Sequence, residues 1–136
     1  MPKTFLDTNI FVYALDEADP RKKELARSEI EGISEAGYAV VSTQVLQEFY
    51  VVATRKLGHD PLKVKPLLQE IAANELVVVD LGVIERAIDI SILNTLSFSD
   101  SLLIAAASAA NCAVILTEDL QHDAILAGVR IVNPFR

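Results

Sequence analysis

Short runs of apolar, often β-branched residues recur along the chain and predict buried strands. The runs cover residues 4–6, 38–41, 76–79, 113–116 and 129–132. None of them alternates between polar and apolar positions, as a strand with one exposed face does. The pattern therefore predicts five short strands that are buried in the domain.

The segments between these runs carry apolar residues at helical spacing. Helices are predicted over residues 20–36, 43–57, 61–74, 83–96 and 100–111, with a further helical run from Ile10. Gly58 ends the second of these helices, and Asp60 followed by Pro61 begins the third, because aspartate caps a helix and proline suits its first position. A short helical turn is also predicted after residue 119, ending at Gly128.

This order of elements predicts one α/β domain over residues 1–136. Helices separate the strands and no connection has the length of a hairpin, which is typical of a parallel sheet. In such sheets ligands bind at the carboxyl ends of the strands. We therefore expect the functional side chains at that edge.

Two aspartates directly follow predicted strands. Asp7 follows the first strand and precedes Thr8 and Asn9, whose side chains can hold the turn. Asp119 follows the fourth strand, where Thr117 can orient a neighbouring carboxylate. Asp7 taken alone could equally be a helix cap. Their common position at strand ends predicts that the two carboxylates share one edge of the sheet.

Two further acids lie on helices beside apolar residues. Glu48 has a valine three residues before it and valines three and four residues after it. Burying an unpaired carboxylate costs on the order of several kcal/mol, which a bound cation offsets. The alternative is a Glu48 that reaches water or pairs with Arg55. Asp100 opens the last long helix, where the helix dipole also favours an acid, but it shares a face with apolar residues that should turn it toward the sheet.

Converging carboxylates repel one another unless a cation neutralises them. Oxygen ligands without histidine or cysteine select Mg²⁺ or Mn²⁺ over Zn²⁺. Asp123 is a candidate fifth acid and His122 a candidate assistant, although a surface role is the simpler interpretation of both. Glu118 is predicted to face solvent.

The overall charge limits the class of partner. Twelve lysines and arginines against nineteen acids give a net charge of −7, which argues against tight non-specific binding to a polyanion. Any contact with nucleic acid must use bound cations or local basic clusters. There are two such clusters, which are either solvated helix faces or contacts for RNA. The first is Arg21, Lys22, Lys23 and Arg27, and the second is Arg55, Lys56, Lys63 and Lys65.

Composition also bears on the compartment. The single cysteine, Cys112, cannot form an internal disulfide, no apolar run is long enough to span a bilayer, and the N-terminus shows no secretory signal. These features predict a soluble, cytoplasmic protein.

Four segments together resemble the PIN-domain family, and most of all the VapC-type toxins of bacterial and archaeal toxin–antitoxin pairs. They read FLDTNI from Phe5, QVLQEFY from Gln44, SFSD from Ser97, and LTEDL from Leu116. The resemblance spans nearly the whole chain. Serines at positions 99 and 101 depart from the family pattern, which often has a large aromatic residue and an alanine there, and Asp123 stands where a small residue is usual.

The resemblance implies a three-layer α/β fold with a parallel sheet of order 3-2-1-4-5. It implies that Asp7, Glu48, Asp100 and Asp119 bind Mg²⁺ or Mn²⁺ and hydrolyse RNA, that the protein is a homodimer, and that an antitoxin blocks the site. A water activated by the metal would attack phosphorus in line and leave 5′-phosphate ends.

Two other classes of protein that carry acids at strand ends need patterns different from this one. A phosphorelay receiver would need adjacent acids after the first strand and a lysine after the fifth, and a haloacid-dehalogenase-like phosphatase would need an aspartate where Asn9 stands. Neither pattern is present. The stronger alternative is a PIN-fold protein that has lost useful turnover and acts by binding RNA or a protein partner.

Overall fold

The structure is a computed structural model, and it describes residues 2–136. Its centre is a six-stranded sheet of order β3-β2-β1-β4-β6-β5, in which all neighbours are parallel except the last pair. The strands are β1 (Thr4–Leu6), β2 (Ala39–Ser42), β3 (Glu75–Val77), β4 (Val114–Leu116), β5 (Ile125–Leu126) and β6 (Val129–Val132). The fifth strand expected from the sequence is β6, so the order 3-2-1-4-5 is confirmed for the five parallel strands, and β5 is an addition at one edge.

Helices connect the parallel strands and cover both faces of the sheet. They are α1 (Thr8–Leu15), α2 (Pro20–Glu35), α3 (Thr43–Val51), α4 (Pro61–Ala72), α5 (Leu81–Asn94) and α6 (Phe98–Ala109). Each begins at a polar residue whose side chain accepts a hydrogen bond from a backbone N–H of the first turn, as Asp7 does for α1 and Ser42 for α3. These caps fix where each helix leaves the sheet.

The core lies between the sheet and the helices. Strands β1 and β2 are buried along their whole length, which explains why their sequences do not alternate. Phe5, Phe49 and Ile104 are among the largest side chains that solvent does not reach. Residues 103–107 of α6 are all buried, since α6 packs its alanine-rich middle against β2, β4 and β6.

The chain between β4 and β6 differs from the expectation. The predicted helical turn ending at Gly128 is wrong, because residues 120–124 form bends and turns and then enter the β5–β6 hairpin. Ala127 and Gly128 both have positive φ, at 51° and 79°, which is the conformation of a tight two-residue hairpin turn. The expectation that no connection is a hairpin is therefore also wrong.

The expected helix over residues 43–57 is divided. It begins as α3 and continues as a π-helical segment, Val52–Lys56, in which the Leu57 N–H donates to the carbonyl of Val52 five residues earlier. In residues 2–136, no single helix is long and apolar enough to cross a bilayer. Only α5 and α6 taken together, bent by 118°, have the required length and composition.

Candidate active site

Asp7 is buried at the carboxyl end of β1. One carboxylate oxygen accepts a 2.6 Å hydrogen bond from the backbone N–H of Thr8, and the other accepts a 2.7 Å bond from the hydroxyl of Thr117. Leu6 lies opposite Leu116 in the β1–β4 pair, so the residues that follow these two strands meet at one edge. Only 7% of Asp7 is exposed, so both bonds replace water that the carboxylate has lost.

Asn9 connects Asp7 to the second acid at this edge. Its side-chain amide donates to Asp119 Oδ2 at 3.1 Å and lies 3.5 Å from Asp7 Oδ2 and 3.4 Å from Thr117 Oγ1. The backbone N–H of Asp119 donates in turn to the Thr117 hydroxyl. Because carboxylates only accept, the Asn9 NH₂ must point at the acids. Its carbonyl oxygen is then buried and finds no hydrogen-bond partner among residues 2–136.

Glu48 reaches the same place from α3. Its Oε2 accepts a 2.9 Å bond from the Thr8 hydroxyl, and its Oε1 accepts a 3.3 Å bond from the amide of Gln44, one helical turn earlier. No ion pair between described residues joins Glu48 to Arg55, so the alternative pairing that the sequence left open does not occur. Glu48 is therefore held at the strand ends by neutral donors.

Asp100 is the least integrated of the four acids. It lies in the first turn of α6, where its backbone N–H donates to the Ser97 hydroxyl. Its side chain is half-buried and does not line the cavity that the other three acids share. The link to that cavity runs through Gln44, whose amide also donates to the carbonyl oxygen of Ser99 at 3.1 Å.

A cavity of about 550 Å³ opens at this edge between α1 and the α3–π segment. The polar residues Asp7, Thr8, Asn9, Glu48 and Asp119 line one part of it. The remaining lining is Val12, Tyr13, Asp16, Gln47, Val51, Val52, Lys56, Leu57 and Glu118.

The electrostatics of the cavity show in the pKa of Asp7, which is raised from 3.8 to about 6. Burial is the largest cause, and the negative charges of Asp119 and Glu48 add to it. The hydrogen bonds from Thr117 and Thr8 oppose the rise without cancelling it. The site therefore holds more negative charge than its own donors can stabilise.

Glu118 is not the solvent-facing residue that the sequence suggested. It accepts a 2.6 Å bond from the hydroxyl of Tyr13 and pairs with the Lys22 ammonium at 2.5 Å. Burial works to raise the pKa of Glu118, but the bonds from Lys22 and Tyr13 outweigh it, and the net pKa lies below its usual value. The expectation failed because Lys22 is 96 residues away along the chain.

The structure does not bring Asp123 into the cavity. Its carboxylate is bound by Arg130 of β6, at 3.1 Å from Nε and 2.6 Å from Nη2, and this bond lowers the pKa of Asp123. His122 accepts a bond from the backbone N–H of Asn133 and lies 3.4 Å from Asp123. The candidate fifth acid and the candidate assistant thus stabilise the hairpin instead.

The two basic clusters differ in their contacts. In the first, Lys22 pairs with Glu118, Arg21 donates to the Phe135 carbonyl and Arg27 to the Ala14 carbonyl, while Lys23 pairs with Glu17. In the second, Arg55, Lys63 and Lys65 are exposed, and Lys56 alone lines the cavity. The second cluster is thus the one that continues the acid-lined cavity.

Several features of this site suit a divalent cation. The potential metal ligands are carboxylate oxygens, and burial together with the neighbouring acids makes the charged form of Asp7 unfavourable without a cation. Within the described chain, however, no three acid, histidine or cysteine side chains stand close enough to form a complete metal-binding set.

Sequence reasoning missed two residues that organise the site. Gln44 is buried and bridges Glu48 to the residue before Asp100; its position four residues before Glu48, on the same helix face, was an available signal. Tyr13 joins α1 to Glu118, and nothing in the local pattern pointed to it.

Comparison with known proteins identifies the family and supports the fold. The model of the PIN domain family matches residues 4–126, and the chain belongs to that family. Solved structures from several bacteria share the fold. Mycobacterium tuberculosis VapC20, a sarcin–ricin loop cleaving toxin, is 18% identical with a TM-score of 0.69, and the alignment covers 85% of this chain and 91% of that one.

Two further structures match over a greater length. A chain of a toxin–antitoxin complex from Klebsiella pneumoniae is 19% identical with a TM-score of 0.71, and one of a DNA-bound VapBC from Salmonella typhimurium is 18% identical with a TM-score of 0.70. Each alignment covers 96% of this chain and 97% of the other. A comparison with curated proteins found no match.

Proposed function

We propose that this chain is a divalent-metal-dependent endoribonuclease in which Asp7, Glu48, Asp100 and Asp119 hold Mg²⁺ or Mn²⁺. The observation that carries the proposal is the unneutralised charge of the cavity. Asp7, Glu48 and Asp119 share it, and no ion pair within residues 2–136 involves any of the four acids. Membership of a family of nucleases supports the same activity.

The bound cation would lower the pKa of a water and stabilise charge on the phosphate. The chain's own residues set up that chemistry. Thr117 and Thr8 fix the Asp7 carboxylate, Thr8 and Gln44 fix Glu48, and Asn9 ties Asp119 to Asp7. In this proposal, Asp100 joins the other three acids from α6 when the substrate and the cation are bound. Hydrolysis of this kind bypasses the 2′-hydroxyl and leaves 5′-phosphate ends.

The biological role we propose is that of the toxin in a toxin–antitoxin pair, with an antitoxin protein as partner. The support is the likeness to VapC20 and to the chains of toxin–antitoxin complexes, which at this level of identity is a likeness of fold. A homodimer stays a prediction, as does a cytoplasmic location. Light scattering of the purified chain at several concentrations tests the dimer.

The test of the activity is cleavage of a folded RNA by the purified chain with Mn²⁺, Mg²⁺ or EDTA. We expect cleavage with either ion, none in EDTA, and 5′-phosphate ends at the cuts. Asp7→Asn should reduce cleavage at least about 100-fold, since a buried metal ligand is lost. Equal activity of Asp7→Asn would mean a contaminating nuclease, and 2′,3′-cyclic phosphate ends would contradict the mechanism.

One observation favours a second candidate, a PIN-fold protein that binds without useful turnover. Asp100 lies outside the shared cavity and the acids do not form a complete metal set in the described chain. This candidate predicts that the chain binds RNA or a protein partner but releases no RNA fragments with any divalent ion. Measurable multiple-turnover cleavage would exclude it.

A further inference from the structure

The active-site cavity is a trough with two walls, and the residue types along the two walls change in the same order. On the α1 wall, Thr8 and Val12 lie on one face of the helix, and Asp16, which caps its C-terminus, follows four residues later. On the opposite wall, Glu48, Val52 and Lys56 have the same spacing. Both walls therefore pass from a polar residue to an aliphatic one and then to a charged one.

The two walls begin at the same level. The helices α1 and α3 follow β1 and β2, which are parallel neighbours, so both leave the carboxyl edge of the sheet. The hydrogen bond from Thr8 to Glu48 joins the walls at the acid end. Val12 and Val52 then form a middle layer, to which Val51 adds an exposed aliphatic surface.

The far end of the trough depends on the π-helical segment. A π turn accommodates one more residue than an α turn, and such segments are rare and frequent at functional sites. Here the bond from the Leu57 N–H to the Val52 carbonyl turns both Lys56 and Leu57 into the cavity. No acid within residues 2–136 pairs with Lys56, Asp16 on the facing wall included, and Lys56 lies about two helical turns beyond Glu48.

We propose that this trough binds one unpaired nucleotide next to the scissile phosphate. The scissile phosphate lies at the acid end, the base packs against Val12, Val51 and Val52, and the neighbouring phosphate lies at Lys56. The inference deepens the proposed nuclease function and rests on it for the acid end. A base held in a double helix has both faces covered by its neighbours and cannot pack against these valines, so the inference applies to a nucleotide in a single strand or a loop.

The middle layer also determines how selective the subsite is. Tyr13 lines the trough, but its ring packs against Phe135 with centroids 4.9 Å apart and lies 4.6 Å from the Lys22 ammonium. The base therefore meets aliphatic side chains instead of a free aromatic face. Valines contact the face of any base and offer no hydrogen bond to its edge, so we expect little preference among the four bases at this position.

The direct test is NMR of the whole chain with labelled valine and leucine methyl groups. Uridine and adenosine are titrated in EDTA, and their 5′-monophosphates in Ca²⁺. We expect both bases to shift the methyl signals of Val12, Val51 and Val52 and to show nuclear Overhauser effects to them. The exposed methyl groups of Leu81 and Leu93 on α5 are the control. Equal shifts at the control leucines, or no shift at the valines, would overturn the inference.

Kinetics provide a second test. Val52→Asn should raise KM for a single-stranded oligoribonucleotide roughly 5-fold with kcat within about 2-fold, because it weakens binding of a base that does not react. Lys56→Gln should raise KM and make log KM less steep against log[salt] by about 0.7, the value for one phosphate contact on a single strand. The controls are Val78→Asn at an exposed valine and Lys3→Gln at a half-buried lysine that pairs with Glu75, since neither residue lines the trough.

The outcomes separate the two proposals. Cleavage by the wild type with unchanged KM in both trough variants would refute the nucleotide subsite and leave the nuclease standing. No cleavage by any form would refute the nuclease, while the nucleoside titration in EDTA would still decide whether the aliphatic layer binds a base. Cuts inside a fully paired stem would also overturn the inference.

Discussion

Two groups of carboxylates lie near the end of β4. They differ in whether their partners within the protein are charged or neutral. Glu118 and Asp123 each have a protein cation, Lys22 or Arg130, and the pKa of each lies below its usual value. Asp7 and Asp119 receive bonds only from hydroxyl and amide groups, and the pKa of Asp7 is raised to about 6.

This difference indicates where a cation from solution is needed. Lysines and arginines are available in the neighbourhood, since Lys22 reaches Glu118 directly beside Asp119. They satisfy the acids that border the site and leave the acids within it with neutral donors. Like charges that gather without a partner are unfavourable, so an external cation that joins these acids should stabilise the arrangement.

The largest effect should separate the two groups in activity. Asp119→Asn removes a charge from the cavity and should reduce metal-dependent cleavage at least about 100-fold. Asp123→Asn removes an equal charge four residues later, but from a surface pair with Arg130, and should leave cleavage unchanged within about 2-fold. Initial rates of the two variants on one RNA test this, and similar losses would show that the hairpin acid belongs to the site after all.

The second effect concerns stability without metal. The folded pKa of Asp7 exceeds its usual value, so the folded state binds more protons, and the free energy of unfolding must fall as pH rises from about 4 to about 6 and level off above that. Between pH 5 and 7.5, Asp7 should lower the free energy of unfolding by about 1 kcal/mol.

Urea unfolding of wild type and Asp7→Asn in EDTA at those two pH values isolates this contribution. Asparagine keeps the shape and does not titrate, so the decrease between pH 5 and 7.5 should be smaller in the variant by about 1 kcal/mol. Parallel pH dependence in the two proteins would mean that the Asp7 carboxylate is not destabilised by burial.

A third effect tests the neutral donors. Thr117→Val removes the hydroxyl that donates to Asp7 and accepts from the Asp119 N–H, and it should lower the free energy of unfolding by about 1 kcal/mol. Because this bond holds down the pKa of Asp7, that pKa should rise further in the variant. Carboxyl NMR titration measures it, and a pKa that stays at about 6 would remove Thr117 from the account.

The smallest expected effect is on the pKa of Glu118, which pairs with Lys22. Lys22→Met leaves Glu118 with Tyr13 alone, so burial should raise the pKa of Glu118 above its value in the wild type. The same NMR titration detects this. No change would mean that Tyr13, and not the lysine, keeps Glu118 charged.

The sequence was sufficient for the parts of the fold that depend on local pattern. Runs of buried β-branched residues located the five parallel strands, and the positions of Asp7 and Asp119 after two of them led to one edge of the sheet. Glu48 could be recognised because valines surround it at helical spacing. The hairpin at residues 125–132 was missed because its turn uses Ala127 at positive φ, a conformation that alanine does not signal.

Contacts between distant segments could not be predicted. The sequence places Lys22 in a basic run that is either a solvated helix face or an RNA contact. Its partner Glu118 is known only once α2 packs against α1 and brings Lys22 to the residues that follow β4. The π-helical segment depends on backbone bonds to the carbonyl five residues earlier, such as that from Leu57 to Val52, and no residue type marks it. The position of Asp100 outside the shared cavity is likewise a property of packing between α3 and α6 through Gln44 and Ser99.

Calorimetric titration of the purified chain with Mn²⁺ at pH 6, in two buffers of different ionisation enthalpy, measures whether the unpaired acids take up a cation and displace protons. The account predicts saturable binding that releases roughly half a proton from Asp7 per ion, since its pKa is about 6, and predicts loss of that signal in Asp7→Asn. A wild type that binds no Mn²⁺, or an Asp7→Asn variant that binds it with the same affinity and proton release, would contradict the account.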